Sequence, residues 1–363
     1  MLQDQFGACT LLSSRSVVGG SRQLPKDERM NLEFQPLVTV LTPVYNGENY
    51  LAECIESVLA QTYQNWEYRI VNNCSTDRTL EIAQTFAEKD KRIRIHNNTE
   101  FVGCDANGNI AFRLISSNSK YCKVVFADDW LLPECLMKMV ELAEAHPTVS
   151  IVGAYGLSKA HVLWVGLDER RNVFSGREVC RRNLLGGKYL CGTPTSMLIR
   201  SDEVRKRPSF YNEANTHCDK EVCFDVLQDR DFGFVHQVLT YSRVHDGTES
   251  AFSDRINTYI LGDLEVLTKY GKVYLTKDEY TQQNKRWWRR YYKFLGSRVF
   301  HNSEKEFWEY HRNTLRRLGY SLSYGKIVKQ VLAELLDLVF NPLNTATRIF
   351  RKLSRAHDGP RTL

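Results

Sequence analysis

Val38-Thr39-Val40-Leu41-Thr42-Pro43-Val44-Tyr45-Asn46 and, a helix-length later, Tyr68-Arg69-Ile70-Val71-Asn72-Asn73-Cys74-Ser75-Thr76-Asp77 decide the fold. Each stretch opens as an apolar run, Val38–Thr42 and Tyr68–Val71, and stops at a polar cluster. That pattern suits a buried strand handing its carboxyl end to a loop. Between them a helix is expected from near Glu48, with Leu51, Ile55, Val58 and Leu59 on one face. Strand, helix and strand in that order predict a parallel pair, so both polar clusters meet at the carboxyl edge of one sheet, where open α/β proteins bind ligands. A third run, Tyr121–Phe126, is followed by Asp128 and Asp129 and should bring an acidic pair to the same region.

Further out, Ser75 is expected to cap a helix with Leu80, Ala83, Phe86 and Ala87 inside. Ile93–Ile95 reads as a short strand, and Gly103–Ile110 leads into another helix. Pro133-Glu134 opens a helix to about Ala145 that buries Leu136, Met139, Val140 and Ala143. Val149–Ala154 closes this βαβ-rich half as a strand. Residues 155–192 read as irregular; Thr195–Ile199 and Phe234–Tyr241 then read as strands around a helix, Lys220–Leu227. From about Ser253 the pattern is long helices rich in Tyr, Trp and basic residues. There, Ile327, Val331, Leu335, Leu338 and Val339 mark an amphipathic face that packs on the protein or lies on a membrane, packing being the expectation.

The predicted class is α/β: a Rossmann-like, mixed but mostly parallel sheet flanked by helices, with a helical C-terminal appendage. The expected organisation is a loose leader over residues 1–34 and an α/β domain over 35–250, divided into a ligand-binding half, 35–154, and a second half, 155–250. A helical region covers 251–363.

At 363 residues the chain can bury a large core, and 42% hydrophobic with 25% charged residues is ordinary globular usage. The net charge of +6 is densest at Lys285-Arg286-Trp287-Trp288-Arg289-Arg290-Tyr291-Tyr292-Lys293. An amphipathic helix with aromatics inside and cations in water is the expected reading of that patch. Without zinc-finger spacing, an RNA-binding signature or a long basic tail, nucleic acid is not an expected partner. The ten cysteines include no C-x-x-C pair and read as reduced thiols. There is no signal-peptide core, and no run reaches the ~18 apolar residues of a spanning helix, so a cytoplasmic protein is expected. The basic aromatic patch and the Ile327–Val339 helix leave room for a peripheral contact at the inner membrane face.

A dinucleotide-binding first turn needs several glycines, whereas Thr42-Pro43-Val44-Tyr45-Asn46-Gly47-Glu48 has one. Instead, that turn with Tyr50-Leu51, then Ser57-Val58-Leu59-Ala60-Gln61-Thr62-Tyr63, then Val71 to Asp77, then Ala127-Asp128-Asp129-Trp130-Leu131, resembles the family 2 glycosyltransferases of GT-A fold. The likeness continues through Gly192-Thr193-Pro194-Thr195-Ser196, Asp219 and Asp231-Phe232-Gly233-Phe234-Val235, covering about residues 37–250.

The resemblance implies a nucleoside-diphosphate sugar donor, a UDP-sugar foremost, and a glycan or lipid-linked glycan acceptor. It puts Pro43, Tyr45 and Glu48 around the base and ribose with Asp77 in support. Asn72 and Asn73 stand where the family often has aspartates, and amides still hydrogen-bond a base edge. Asp129 is the expected ligand of Mn2+ or Mg2+, and Asp128 a ligand or ribose contact. Independently of the family, a leaving diphosphate needs a cation held by carboxylates. Phe126 stands where a further aspartate is usual. Arg243 and His245 are expected at the diphosphate or the metal, and Asp219 as the general base of an inverting displacement, with a helix cap as its competing role. Glu221 is the stand-in base, while Thr193 and Thr195 are placed at the acceptor pocket. The alternatives are a non-catalytic nucleotide-sugar-binding scaffold of the same fold and, more remotely, a nucleotidyltransferase. The sequence carries no signal for oligomerisation.

Overall fold

In the computed structural model, which describes residues 35–245, 249–300 and 304–340, the two opening runs become β1 (Val38–Val44) and β2 (Trp66–Asn72). They are joined by α1 (Leu51–Leu59) and pair in parallel, with Val44 opposite Asn72. Both polar clusters therefore leave the sheet side by side. The expected leader, residues 1–34, lies outside the described residues.

The first half continues with α2 (Thr79–Lys89), β3 (Ile93–Asn97), α3 (Cys104–Arg113), β4 (Tyr121–Val124), β5 (Trp130–Leu131) and α4 (Cys135–Ala145). Next come β6 (Val149–Ser158), β7 (His161–Leu163), β8 (Val173–Ser175), α5 (Gly176–Leu184), β9 (Met197–Arg200), α6 (Ser201–Arg205), α7 (Cys218–Val226) and β10 (Asp231–Tyr241). Residues 155–192 are thus irregular only in part, over 164–172 and 185–192. Their strands are three residues long apart from the end of β6, and α5 hides Val179, Cys180 and Leu184 among charged residues.

The sheet runs β3-β2-β1-β4-β9-β6-β10-β5, with β7 beside β6 and β8 beside β10. Its long ladders, β3/β2/β1/β4 and β6/β10, are parallel, and short antiparallel pairings involve β5, β7, β8 and β9. This is the mixed, mostly parallel sheet expected from the sequence. In β1 every residue but Pro43 is buried, as a strand covered on both faces requires.

Ser75 does not cap the second helix. Its hydroxyl accepts from the Asn46 N–H, and it is Asp77 that accepts from the Thr79 N–H at the helix start.

Five helices follow: α8 (Glu249–Ile256), α9 (Tyr259–Tyr274), α10 (Lys277–Val299), α11 (Lys305–Arg317) and α12 (Tyr324–Phe340). A capping box opens α10, the Thr276 hydroxyl accepting from Glu279 N–H and the Glu279 carboxylate from Thr276 N–H. Trp287, Tyr291, Tyr292 and Leu295 of α10 are buried and Lys285, Arg286, Arg289, Arg290 and Lys293 exposed, as expected. On α12, Ile327 is buried and Val331 half-buried against α10, but Leu335 is exposed. The side chains of Leu338 and Val339 lie outside the described residues. Gly262 of α9 meets the His217 ring so closely that a Cβ there would lie 2.4 Å from its Cδ2.

Candidate active site

The loops leaving β1 and β2 are laced together by side chains. Asn46 (φ 50°) and Cys74 (φ 57°) take left-handed backbone, which turns each chain sharply at the sheet edge. Asn46 Oδ1 accepts from Thr76 N–H at 2.8 Å, and Gly47 N–H donates to Thr79 Oγ1 at 2.7 Å. Asp77 Oδ2 accepts from Glu48 N–H at 3.0 Å, while Glu48 Oε2 accepts from Arg78 N–H at 3.1 Å. Burial pushes the Asp77 carboxyl up, but hydrogen bonds from Thr79 and Glu48 outweigh it and hold the group below its ordinary range.

Asn72 and Asn73 are buried, and both carboxamides are engaged by neighbours. Asn72 donates to Asn97 Oδ1 and accepts from Ser75 N–H; Asn73 donates to Val102 O and accepts from Asn98 Nδ2 and Val102 N–H. They set the loop shape from below. Pro43 is half-buried beside Phe126, whereas Tyr45 is exposed, its ring edge against Phe101 at 4.8 Å.

The acidic pair lies past β4. Asp128 Oδ2 is 3.2 Å from His245 Nε2, within hydrogen-bond distance, and the His245 ring lies against Tyr50. Asp129 is buried and accepts from Arg243 N–H at 3.0 Å. Burial, and then the neighbouring Asp128 charge, push its pKa up to about 7 against hydrogen bonds from Thr195, Arg243 and Ser242. The Arg243 guanidinium pairs with Glu53 at 2.5 Å and lies over the rings of Tyr50 and Trp130. Trp130 in turn stacks on Tyr241 at 3.7 Å.

Beneath the pair, the fully buried Lys123 donates from Nζ to the carbonyls of Thr195 and Met197. Thr195 is itself fully buried, its hydroxyl accepting from Phe126 N–H. It therefore braces the acidic turn and does not line an acceptor pocket. Thr193 is half-buried within reach of Ser196. Among the described residues no three His, Cys, Asp or Glu side chains form a metal cage.

Asp219 lies in the first turn of α7, not just before the helix. The flanking cap position is His217, whose ring nitrogen is 2.9 Å from Thr258 Oγ1. Asp219 accepts from Lys220 N–H at 2.7 Å, and burial raises its pKa. Glu221 turns elsewhere: it accepts from Asn212 at 3.0 Å and Asn215 at 2.7 Å and pairs with Lys269.

Sequence reasoning missed Glu53, Phe101, Asp105 and Tyr211. Asp105 and Tyr211 line a small apolar recess with Pro43 and Phe126, and Asp105 accepts from Cys218 Sγ–H at 3.2 Å, bridging the recess to α7. The Tyr211 hydroxyl is buried with no hydrogen-bond partner among the described residues. An exposed Phe after β3 and an Asp opening α3 were the only signals available for two of these four.

Residues 39–206 match the family described as Glycosyl transferase family 2. Glycosyltransferase GlyA of Streptococcus pneumoniae is 43% identical over 94 residues, which are 26% of this chain and 13% of GlyA, so the chain spans only a small part of that relative's length. Among solved structures, S. aureus TarS 1-349 in complex with UDP-GlcNAc matches with a TM-score of 0.57 at 16% identity, over 78% of this chain and 80% of that one. Mannosyltransferase PcManGT from Pyrobaculum calidifontis, in complex with GDP-Man and Mn2+, gives 0.51 at 16% identity over 87% and 84%. At such identities the structural matches speak for the fold.

Proposed function

We propose that this chain, whose residues 39–206 match the family described as Glycosyl transferase family 2, moves a sugar from a nucleoside-diphosphate sugar to a hydroxyl of a glycan or lipid-linked glycan, with inversion at the anomeric carbon. The observation that carries the reading is the meeting, at one sheet edge, of the hydrogen-bonded 46–48/75–79 loops with the Asp128–His245 pair under Arg243. The likeness of the fold to TarS in complex with UDP-GlcNAc and to PcManGT in complex with GDP-Man supports a nucleotide-sugar donor.

In this reading Tyr45 and Phe101 offer aromatic faces to the base, and Glu48 and Asp77 keep the loop in shape for the ribose. Arg243 meets the diphosphate with a guanidinium that is already oriented by Tyr50, Trp130 and Glu53. Asp128 and His245, an oxygen and an imidazole donor, would hold Mn2+ or Mg2+. Such a cation, when bound, neutralises charge on the leaving group. Asp129, engaged by Ser242 and Arg243, backs the turn from behind.

The acceptor oxygen attacks the anomeric carbon, the bond from that carbon to the diphosphate oxygen breaks, and the nucleoside diphosphate leaves with the electron pair. The hydroxyl proton passes to Asp219. A panel of UDP-, GDP-, dTDP- and CDP-sugars, with Mn2+, Mg2+ or EDTA and released nucleoside diphosphate as readout, tests this. Metal-dependent release from one donor is the expected result; pyrophosphate release would favour a nucleotidyltransferase, and binding without release even with acceptor glycans a scaffold.

A peripheral membrane contact is a second element of the reading. None of the described helices is long and apolar enough to cross a bilayer, but α12 exposes Tyr324, Val328, Leu332, Leu336 and Phe340, at every fourth residue. Co-sedimentation with anionic vesicles that falls when Leu332 and Leu336 become Glu is expected. Equal sedimentation of the variant would remove this element. The nine described cysteines are free, in keeping with a cytoplasmic setting.

A further inference from the structure

We infer that the cationic face of α10 is the docking surface for a polyanionic acceptor, a chain bearing regularly spaced phosphodiester or carboxylate groups; this rests on the glycosyl-transfer reading. Arg286, Arg289, Arg290 and Lys293 follow one another at helical spacing and are all exposed, on the side of α10 away from the buried Tyr291, Tyr292 and Leu295. Eight residues of helix carry them along about 10 Å of surface. Arg290 lies 3.5 Å from Asp263, whereas Arg286, Arg289 and Lys293 have no ion-pair partner among the described residues. Like charges held together without counter-charges repel one another, and an anion that spans them relieves that repulsion.

The face leads to the candidate base. Asp263 Oδ2 meets Arg290 while its Oδ1 accepts from Lys220 Nζ at 2.6 Å, and Lys220 follows Asp219 in the chain. Lys220 also lies over the Tyr189 ring at 5.3 Å. The Arg286 guanidinium sits against Gly186, at the start of the turn that carries the exposed Lys188 and then Tyr189. A chain lying on α10 and crossing this turn arrives with its end group beside Asp219.

The surface fits a soluble polymer better than the other anions. Single-stranded nucleic acid needs exposed stacking rings, but Trp287 is buried and Trp288 packs on Tyr292 and Tyr320. A bilayer needs apolar side chains among the cations, and here the exposed apolar stripe belongs to α12. Arginine forks match both phosphate and carboxylate oxygens.

The test uses the full chain with fluorescent inorganic polyphosphate, polygalacturonate, neutral dextran and phosphatidylglycerol vesicles. The wild type is expected to bind one polyanion, with affinity falling as salt rises, and not dextran. Arg286→Glu/Arg289→Glu/Lys293→Glu should weaken that binding at least about ten-fold. A control of equal charge change among exposed cations elsewhere, Lys89→Glu/Lys91→Glu/Arg94→Glu, should shift it by about two-fold at most, because distant charges are screened. Thermal melting checks that each variant folds, and nucleotide-sugar affinity should match the wild type in both.

Preference for polyphosphate or for polygalacturonate distinguishes a phosphodiester from a uronate chain. Equal losses in the two triple variants, no preference over dextran, or binding to vesicles alone would overturn the inference. Polyanion binding without affinity for any nucleotide sugar would overturn the transfer reading and, with it, the acceptor role; donor-dependent release without polyanion binding would overturn the inference alone.

Discussion

Asp219 and Glu221 sit two residues apart on α7, yet their surroundings assign them opposite kinds of sensitivity. Asp219→Asn keeps an oxygen for the Lys220 N–H, so the helix start survives. A carboxamide accepts no proton, so removing a general base should lower turnover by about 10²–10⁴-fold, or about 3–5 kcal/mol in the barrier. Burial raises the Asp219 pKa, so its ionised form is disfavoured in the fold. Stability associated with the protonated form is complete below the unfolded pKa and is lost as pH rises through the folded one. The neutral amide escapes that loss, so the variant should be at least as stable as the wild type at neutral pH. Glu221→Gln behaves in reverse. It breaks the pairing with Lys269 and turns an NH2 toward the amides of Asn212 or Asn215, at about 2 kcal/mol of stability, with turnover per folded molecule kept. The assay is nucleoside diphosphate release across pH, beside denaturant unfolding. The wild-type rate should climb through a window above the ordinary carboxylate range, and the residual Asp219→Asn rate should be flat there. Wild-type turnover in Asp219→Asn, or a matching catalytic loss in well-folded Glu221→Gln, would refute the reasoning.

Asp128→Asn and His245→Ala should each raise the Mn2+ concentration needed for half-maximal release, with melting little changed, since their mutual contact is only partly buried; unchanged metal dependence in both would remove them as ligands. Tyr45→Ala should weaken nucleotide binding by about 1–3 kcal/mol through lost stacking, measured calorimetrically, and an unchanged Kd would move the base elsewhere. Gly262→Ala should cost about 1–3 kcal/mol, because the new methyl collides with the His217 ring, and a melting temperature equal to wild type would show that α9 and α7 pack less tightly than described.

The parallel pair was legible because a strand buried on both faces is written as an apolar run, and the loop after it as an abrupt polar cluster. The same logic found Asp128 and Asp129. It could not say which of Ser75, Thr76 and Asp77 would serve the helix and which would reach across to Asn46, because each has a short oxygen-bearing side chain suited to either bond. Asn72 and Asn73 were visible as edge residues, but their commitment to Asn97, Asn98 and Val102 depends on a third strand that brings those groups alongside. Glu53 was invisible for a similar reason: its meaning comes from Arg243, far along the chain. Residues 155–192 looked formless because three-residue strands carry too little period to read.

The helical region was expected as an appendage, and its packing argues for a closer tie to catalysis. Leu261, Leu264, Leu267, Tyr270 and Tyr274 of α9 are buried in one continuous core with Val222 and Phe224 of α7 and Val179 and Cys180 of α5. Tyr274 donates to Phe224 O at 2.5 Å, and Lys269 and Thr258 reach Glu221 and His217, on either side of Asp219. Five large side chains at about 1.5–3 kcal/mol each come to roughly 10 kcal/mol, as much as the net stability of many whole domains. A chain ending at residue 250 should therefore fail to fold cooperatively, not merely lose an accessory. If that truncation were soluble, melted in one transition and released nucleoside diphosphate at the full-length rate, the helices would be dispensable to α7, and the argument that they position the candidate base would fail with them.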